Sequence, residues 1–93
     1  MEQHVEYNRE VQWFRNVPLK LIVYTEKHFS VLKAKRFMIH GSTQNLWIPN
    51  KFLTENGTIR DPEKIAWIFS NKTTQHKLEL AGIKLDPAPI NRR

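Results

Sequence analysis

Residues 36–49, with the sequence RFMIHGSTQNLWIP, carry the clearest β-hairpin signal in the chain. Two apolar runs, residues 37–39 and 46–48, flank a polar connector that contains Gly41. Short apolar runs separated by a few polar residues and a glycine are typical of two antiparallel strands joined by a turn. We expect Pro49 to end the second strand, because proline has no backbone N–H to donate to a sheet.

The segments that precede the hairpin predict further structure. Residues 19–25 are rich in β-branched and aromatic side chains and predict a strand. Both faces of that strand are mostly apolar, so we expect it near the middle of the sheet. Residues 25–35 fit either a helix or a strand, and we favour a strand because the flanking segments are strands. Residues 2–16 predict a short amphipathic helix that Pro18 ends, although residues 10–14 fit a strand equally well.

The segments that follow the hairpin predict helices. Residues 50–55 predict one helical turn, and Asn56-Gly57 predicts a tight turn or a helix end. Asp61-Pro62-Glu63 predicts a helix start, because aspartate caps the free N–H groups and proline suits the first helical position. This helix should weaken at residues 71–74, where Asn and Thr are poor helix formers, and Gly82 suits its end.

These elements together predict an α+β fold, in which a C-terminal helix packs on a small antiparallel sheet of three or more strands. The chain has 93 residues, which is the size of one small domain. We expect residues 1–84 to form that domain. Residues 85–93 then form a basic tail, interrupted by prolines and extended or disordered in isolation.

The positive charge of the chain is concentrated in its middle. The sequence has 15 Lys or Arg and nine Asp or Glu, a formal charge of +6. No acidic residue occurs from residue 27 to residue 54, where basic residues are interleaved with aromatic ones. Such a mixture is typical of a surface for single-stranded nucleic acid, because cations bind phosphates and flat rings stack on bases. The alternative interpretation is a solvated basic surface over an aromatic core.

Candidate nucleic-acid-binding residues follow from this acid-free window. The basic residues predicted to contact phosphates are Lys27, Lys33, Lys35, Arg36 and Lys51. Phe37 or Trp47 is predicted to stack on a base if its ring is exposed. On a strand, Lys33 and Lys35 would face one side and Arg36 the other. The same basic run is also explained without any ligand, if its charges lie on an edge strand and prevent aggregation through that edge.

The three tryptophans are candidates for binding surfaces. Trp47 lies between Leu46 and Ile48 and must face the opposite side of a strand, so one of those two sides is not core. Trp13 and Trp67 are predicted to bind a protein partner, because tryptophan dominates the binding energy of protein interfaces and a small domain cannot bury every aromatic ring.

The remaining composition argues against an enzyme. Without cysteine the chain has no disulfide, thiolate metal site or thiol nucleophile, and its acidic residues form no close pair. Its four histidines lack metal-ligand spacing, and three glycines are too few for a phosphate-binding loop. We therefore expect no catalytic residues, metal, cofactor or small-molecule substrate. No apolar run is long enough to span a membrane and no signal peptide is recognisable, so we expect a cytoplasmic protein without a membrane partner.

Residues 25–50 also resemble a group of small phage and cassette-type mobile-element proteins. These proteins carry a β-hairpin that ends in a Trp-Ile-Pro-Lys pattern. Here Trp47-Ile48-Pro49 is followed by Asn50 in place of the usual basic residue, and Lys51 comes next. The resemblance implies an accessory role in mobile-element DNA metabolism beside a larger polymerase, primase or helicase. It implies no catalytic residues.

Two principal hypotheses for the function follow. The first is a non-enzymatic accessory protein that binds nucleic acid, preferably single-stranded DNA. The second is a protein-interaction subunit or small inhibitor that docks on a larger protein, with Trp13 and Trp67 as anchors. A third, in which the helix that begins at Asp61 reads duplex DNA, has less support because the basic residues of that segment are not concentrated on one side.

Overall fold

A computed structural model describes residues 6–23 and 33–88 of the chain. Its centre is an antiparallel sheet of four strands in the order β1-β2-β3-β4. The strands are β1 (Gln12–Phe14), β2 (Val17–Leu21), β3 (Ala34–Ile39) and β4 (Asn45–Pro49). After the sheet come 3-10 helices at Asn50–Phe52 and Pro62–Ile65, then the α-helices α1 (Ala66–Phe69) and α2 (Lys72–Leu80). The α+β fold predicted from the sequence is confirmed.

The predicted hairpin is formed by β3 and β4. Phe37 lies opposite Leu46 in the register of the two strands, and the connector closes with a hydrogen bond from Ile39 N to Gln44 O at 2.8 Å. Pro49 is the last residue of β4, as predicted. β2 begins two residues before the predicted strand 19–25 and ends at Leu21, so residues 22–23 were wrongly assigned to it. β2 lies between β1 and β3, and its predicted place inside the sheet is confirmed.

The N-terminal prediction is wrong within the described residues. Gln12–Phe14 is a strand, as the alternative interpretation allowed, and a tight turn at residues 15–16 connects it to β2. Pro18 ends no helix; it lies inside β2 opposite Trp13. Its carbonyl accepts a hydrogen bond from His40 N at 2.9 Å, so Pro18 faces a residue that comes just after the end of β3. The N–H that proline lacks therefore removes no hydrogen bond to β3 itself.

The core lies on one face of the sheet. Alternation along each strand sends apolar side chains to this inner face, where Phe14, Val17, Leu19, Leu21, Phe37, Ile39, Leu46 and Ile48 are buried. The helical segments cover it with Ile65, Ile68, Phe69 and Leu78. The rings of Phe14 and Phe69 stack at a centroid distance of 4.2 Å, which ties β1 to α1.

The helical half follows the capping signals of the sequence. Asp61 Oδ1 accepts a hydrogen bond from Glu63 N at 3.2 Å, with Pro62 as the first helical residue. The helix breaks at residues 70–71, at the start of the predicted weak stretch 71–74, but residues 72–74 are themselves helical. Asn71 caps the new helix by accepting from Thr73 N at 2.7 Å. α2 ends at Leu80, and Gly82 follows the C-cap residue Ala81 with a positive φ of 75°, which allows the chain to reverse direction.

The segment after α2 returns to the turn between β1 and β2. Asn16 Nδ2 donates to Lys84 O at 2.7 Å, and Asn16 Oδ1 accepts from Asp86 N at 2.8 Å. Leu85 packs against the core. The first residues of the predicted tail are therefore attached to the sheet. The choice between helix and strand for residues 25–35 lies mostly outside the described residues.

Candidate nucleic-acid interface

The face of the sheet opposite the core forms a continuous surface, which we call the outer sheet face. Strand alternation places there Trp13, Pro18, Lys20, Ala34, Arg36, Met38, Asn45, Trp47 and Pro49. None of these side chains is acidic. The helical segments pack against the other face, and so this surface, with its two tryptophans and two cations, is left accessible on the described part of the chain.

Arg36 and Trp47 form the centre of the candidate site. They are direct cross-strand partners in β3 and β4, and the guanidinium carbon of Arg36 lies 5.3 Å from the Trp47 ring centroid. Arg36 Nε also donates to Asn45 Oδ1 at 3.1 Å, which holds the guanidinium on the sheet. Trp47 is 43% exposed. A positioned cation beside an accessible ring provides the two contacts that one nucleotide needs.

The other exposed residues of this face extend the surface across the sheet. Trp13 on β1 is 57% exposed and Met38 is 37% exposed. Lys20 lies directly opposite Met38 and is also exposed. Trp13 and Trp47 are on the two outermost strands, which are about 14 Å apart if neighbouring strands are spaced by about 4.8 Å, and the register also offsets the two residues along the strand direction. The surface therefore has a ring near each edge and a positive charge between them.

Two predicted contact residues are excluded from this surface. Lys35 is only 7% exposed, its Nζ donates to Asn50 Oδ1 at 2.9 Å, and burial lowers its pKa. Phe37 is completely buried and does not meet the exposure condition for stacking. The reason is the period of β3: Lys35 and Phe37 share the side of Ile39, which is the core side.

The remaining predicted contacts are distributed around the sheet. Lys33 is exposed just before β3, and Lys51 is exposed just after β4, where its Nζ lies 5.2 Å from the Phe52 ring centroid. Lys27 lies outside the described residues. The acid-free window thus supplies Arg36 and Trp47 to the outer sheet face, with Lys33 and Lys51 near its ends.

The two predicted protein anchors lie on different layers of the molecule. Trp13 belongs to the outer sheet face, whereas Trp67 is on α1 in the helical layer and is 56% exposed. The Trp67 ring lies 6.2 Å from the Phe52 ring at a tilt of 58°. The structure therefore does not bring Trp13 and Trp67 together into one docking surface.

Sequence reasoning missed several residues of the two exposed surfaces. Lys20 and Met38 join the outer sheet face, and the period of two along β2 and β3 was a usable signal for both. Arg60 and Lys64 lie near Lys51 around a groove of about 410 Å³. They fall outside the acid-free window and beside acidic neighbours in the sequence, so charge density alone did not reveal them.

Metal-ligand clusters and membrane-spanning helices do not occur in the described part of the chain. Over residues 6–23 and 33–88, no group of three His, Cys, Asp or Glu side chains is placed to hold a metal ion. No helix within these two ranges is long and apolar enough to cross a membrane.

Comparison with known proteins gives no match: no family model, curated protein or solved structure is similar to this chain.

Proposed function

We propose that this chain is a non-enzymatic protein that binds single-stranded nucleic acid, preferably DNA, on its outer sheet face. The observation that carries the proposal is the pairing of Arg36 with the exposed ring of Trp47 on a face without acidic side chains among the described residues. Stacking of a base on Trp47 and neutralisation of its phosphate by Arg36 would use both groups at once.

The shape of the surface favours single strands over a duplex. The bases of a duplex are stacked on one another, so an aromatic ring on a protein surface reaches them only when they are unpaired. A four-stranded sheet spans about 14 Å between its outermost strands before side chains are added. That is wider than the major groove of B-DNA, about 12 Å, so the outer sheet face cannot enter the groove as a two-stranded ribbon does.

The biological setting of the proposal comes from the hairpin pattern that ends in Trp47-Ile48-Pro49. We propose an accessory role in mobile-element DNA replication or processing, in the cytoplasm, beside a larger polymerase, primase or helicase. A surface with few cations and exposed rings suits such a role, because modest affinity lets the bound strand pass to the larger enzyme.

The alternative function is a protein-interaction subunit or inhibitor. It is favoured by the apolar character of the same face, where Trp13, Met38 and Trp47 are all at least 37% exposed. Exposed aromatic and methionine side chains are enriched in protein interfaces. The two functions differ in their response to salt, because phosphate binding releases counterions and apolar docking does not.

The deciding experiment is a titration of tryptophan fluorescence with a short single-stranded oligonucleotide at several salt concentrations. Trp47→Ala should weaken binding about fivefold or more, since stacking one base contributes about 1–3 kcal/mol. Arg36→Gln should reduce the slope of log affinity against log salt by about 0.7, the value for one phosphate contact.

Two exposed residues of α2 provide matched controls. Leu80→Ala removes an apolar side chain and Lys72→Gln removes a cation, each on the helical layer. Both variants should bind like the wild type. Absence of salt-dependent binding by the wild type, or equal losses in the control variants, would overturn the proposal and favour the protein-interaction function.

A further inference from the structure

A groove of about 410 Å³ lies between the turn after β4 and the start of the helical segment. Its lining residues are Lys51, Phe52, Arg60, Asp61 and Lys64, and we call it the basic groove. None of these residues belongs to the outer sheet face. The basic groove is therefore a second exposed site, separate from the one assigned to single-stranded nucleic acid.

The backbone around the basic groove is braced by hydrogen bonds. Arg60 N donates to Phe52 O at 3.0 Å, next to the β-bridge between Leu53 and Ile59. Lys64 N donates to Asp61 O at 3.0 Å within the first helical turn. The cationic side chains thus extend from fixed backbone positions, which reduces the entropy lost when they bind a ligand.

The charge of the basic groove matches a phosphate monoester. Lys51, Arg60 and Lys64 contribute three positive charges and Asp61 one negative, a net charge of +2. Asp61 is already used, because its Oδ1 caps the helix by accepting from Glu63 N. A phosphate monoester carries about −1.5 to −2 at neutral pH, whereas the diester inside a nucleic-acid strand carries only one charge.

The size and lining of the basic groove indicate what is attached to the phosphate. Its volume falls within the range of about 300–1,000 Å³ that is usual for small-molecule sites, so there is room beyond the phosphate itself. The half-buried Phe52 ring supplies an apolar, flat wall, with the Lys51 ammonium 5.2 Å from its centroid. An apolar wall beside a cationic end suits a ligand with a flat ring and a charged group.

We propose that the basic groove binds the phosphate monoester of a nucleotide, with Arg60 and Lys64 on the phosphate and Phe52 beside the sugar and base. Two sources provide this chemistry: a free mononucleotide and the phosphorylated end of a strand. The second source would connect with the outer sheet face, because Lys51 lies two residues after Pro49 at the end of β4. The proposal does not depend on nucleic acid binding to that face.

Trp67 offers a local probe of the basic groove. Its ring lies 6.2 Å from the Phe52 ring, while Trp13 and Trp47 are on the other layer. The variant Trp13→Phe/Trp47→Phe changes two exposed side chains and leaves Trp67 as the single tryptophan. Its fluorescence would then be titrated with a nucleoside monophosphate, the same nucleoside without phosphate, and short oligonucleotides with and without a terminal phosphate.

The expected result is a fluorescence change that requires the phosphate. The monophosphate should bind at least about tenfold more tightly than the nucleoside, because only the phosphate can accept charge-assisted hydrogen bonds from Arg60 and Lys64. Arg60→Gln and Lys64→Gln, each added to the single-tryptophan variant, should weaken that binding by a similar factor. Lys72→Gln, a cation of α2 outside the groove, should leave it unchanged.

The arms of the experiment separate the possible outcomes. Equal affinity for the free monophosphate and the phosphorylated oligonucleotide supports a free nucleotide as ligand, and tighter binding of the phosphorylated oligonucleotide supports a strand end. Equal responses to nucleoside and monophosphate, or no effect of Arg60→Gln and Lys64→Gln, overturn the proposal. Failure of the outer-face function would appear instead in the salt titration of the wild-type protein with an oligonucleotide and in the Trp47→Ala and Arg36→Gln variants.

Discussion

Arg15 and Glu63 are joined by two parallel hydrogen bonds, from Nε to Oε2 at 3.0 Å and from Nη2 to Oε1 at 2.8 Å. The same guanidinium donates from Nη1 to Asp86 O at 3.1 Å and lies 4.7 Å from the Phe14 ring centroid. One side chain therefore connects the turn between β1 and β2, the first helical turn and the segment that follows α2. The turn itself holds Arg15 at a φ of 51°, an uncommon value for a residue with a side chain.

This pairing predicts a specific loss of stability in acid. The hydrogen bond from Arg15, assisted by its charge and opposed by burial, lowers the pKa of Glu63 below the ordinary value of a glutamate. The stabilisation is complete above the pKa that Glu63 has in the unfolded chain, and it disappears as the pH falls through the lower pKa of the folded chain. Glu63→Gln should therefore lower Tm at neutral pH and flatten the dependence of Tm on pH between about pH 6 and pH 3.

The measurement is thermal unfolding followed by circular dichroism over that pH range. Glu79→Gln is the matched control, because Glu79 is an exposed helical carboxylate whose Oε1 lies 3.7 Å from His76 Nδ1, too far for a hydrogen bond. The control should leave the acid-side slope of Tm as it is in the wild type. Parallel Tm curves for wild type and Glu63→Gln would contradict a stabilising role for the pair.

Gln12 forms the connection between β1 and the loop at residues 57–59. Its Nε2 donates to Gly57 O at 3.0 Å, and its Oε1 accepts from Ile59 N at 2.7 Å. Gln12→Ala leaves both backbone groups without these partners, at a cost of about 1–3 kcal/mol for each group that stays buried. Urea unfolding should show a lower midpoint with an unchanged m-value. Gln75→Ala, at an exposed position of α2, should change the unfolding free energy by less than about 0.5 kcal/mol.

Gly57 is required for a second reason, its close approach to β2. Its φ is +88°, and a Cβ at this position would lie 2.6 Å from Leu21 Cδ2. Gly41 is the matched control, because it has nearly the same φ of +87°, but beyond its chain neighbours no atom lies within 4 Å of the place a Cβ would occupy. Gly41→Ala should cost about 1 kcal/mol from backbone strain alone, and Gly57→Ala about 1–3 kcal/mol more through the clash with the core. Equal losses of unfolding free energy in the two variants would show that the Leu21 side chain moves aside at no cost in stability.

Local signals were sufficient for the elements whose structure is specified by their own residues. The β3–β4 hairpin, the capping of the helix start by Asp61 and the restart of the helix at Asn71 depend on turn and cap chemistry within a few positions. The turn at Arg15 has no such signal. Its side chain is held by Glu63, 48 residues away, and a contact over that distance in sequence cannot be inferred from local propensity.

The candidate site was likewise predictable where it depends on strand alternation, and not where it depends on contacts between residues distant in sequence. Opposite directions for Trp47 and its neighbours follow from the period of a strand, but that period does not say which side is core. Once Ile39 is taken as a core residue, the period of two places Lys35 on the same inner side of β3. Arg60 and Lys64 line the same groove as Lys51 because the bridge between Leu53 and Ile59 folds the loop back on itself.

The positions of Lys35 and Arg36 predict that substitutions of these adjacent cations have different effects: those at Lys35 act on stability, and those at Arg36 act on oligonucleotide binding. Lys35 is buried beside Asn50, whereas Arg36 is on the outer sheet face over Trp47. Lys35→Met keeps the aliphatic volume and removes a charge that burial disfavours, so oligonucleotide affinity should stay within about twofold of the wild type. Arg36→Gln should weaken binding and lower its salt dependence. Lys35→Glu should instead reduce Tm strongly, because it places a carboxylate in the same buried position.

These variants require two measurements on each protein: the anisotropy of a labelled single-stranded oligonucleotide and thermal unfolding by circular dichroism. The thermal scan identifies any loss of binding that comes only from unfolding, which is the expected fate of Lys35→Glu. A folded Lys35→Met protein that loses affinity as strongly as Arg36→Gln would contradict the assignment of the outer sheet face. It would move the phosphate contact to the end of the sheet where Lys35 meets Asn50, because a buried methionine can replace the volume of the lysine but not its charge.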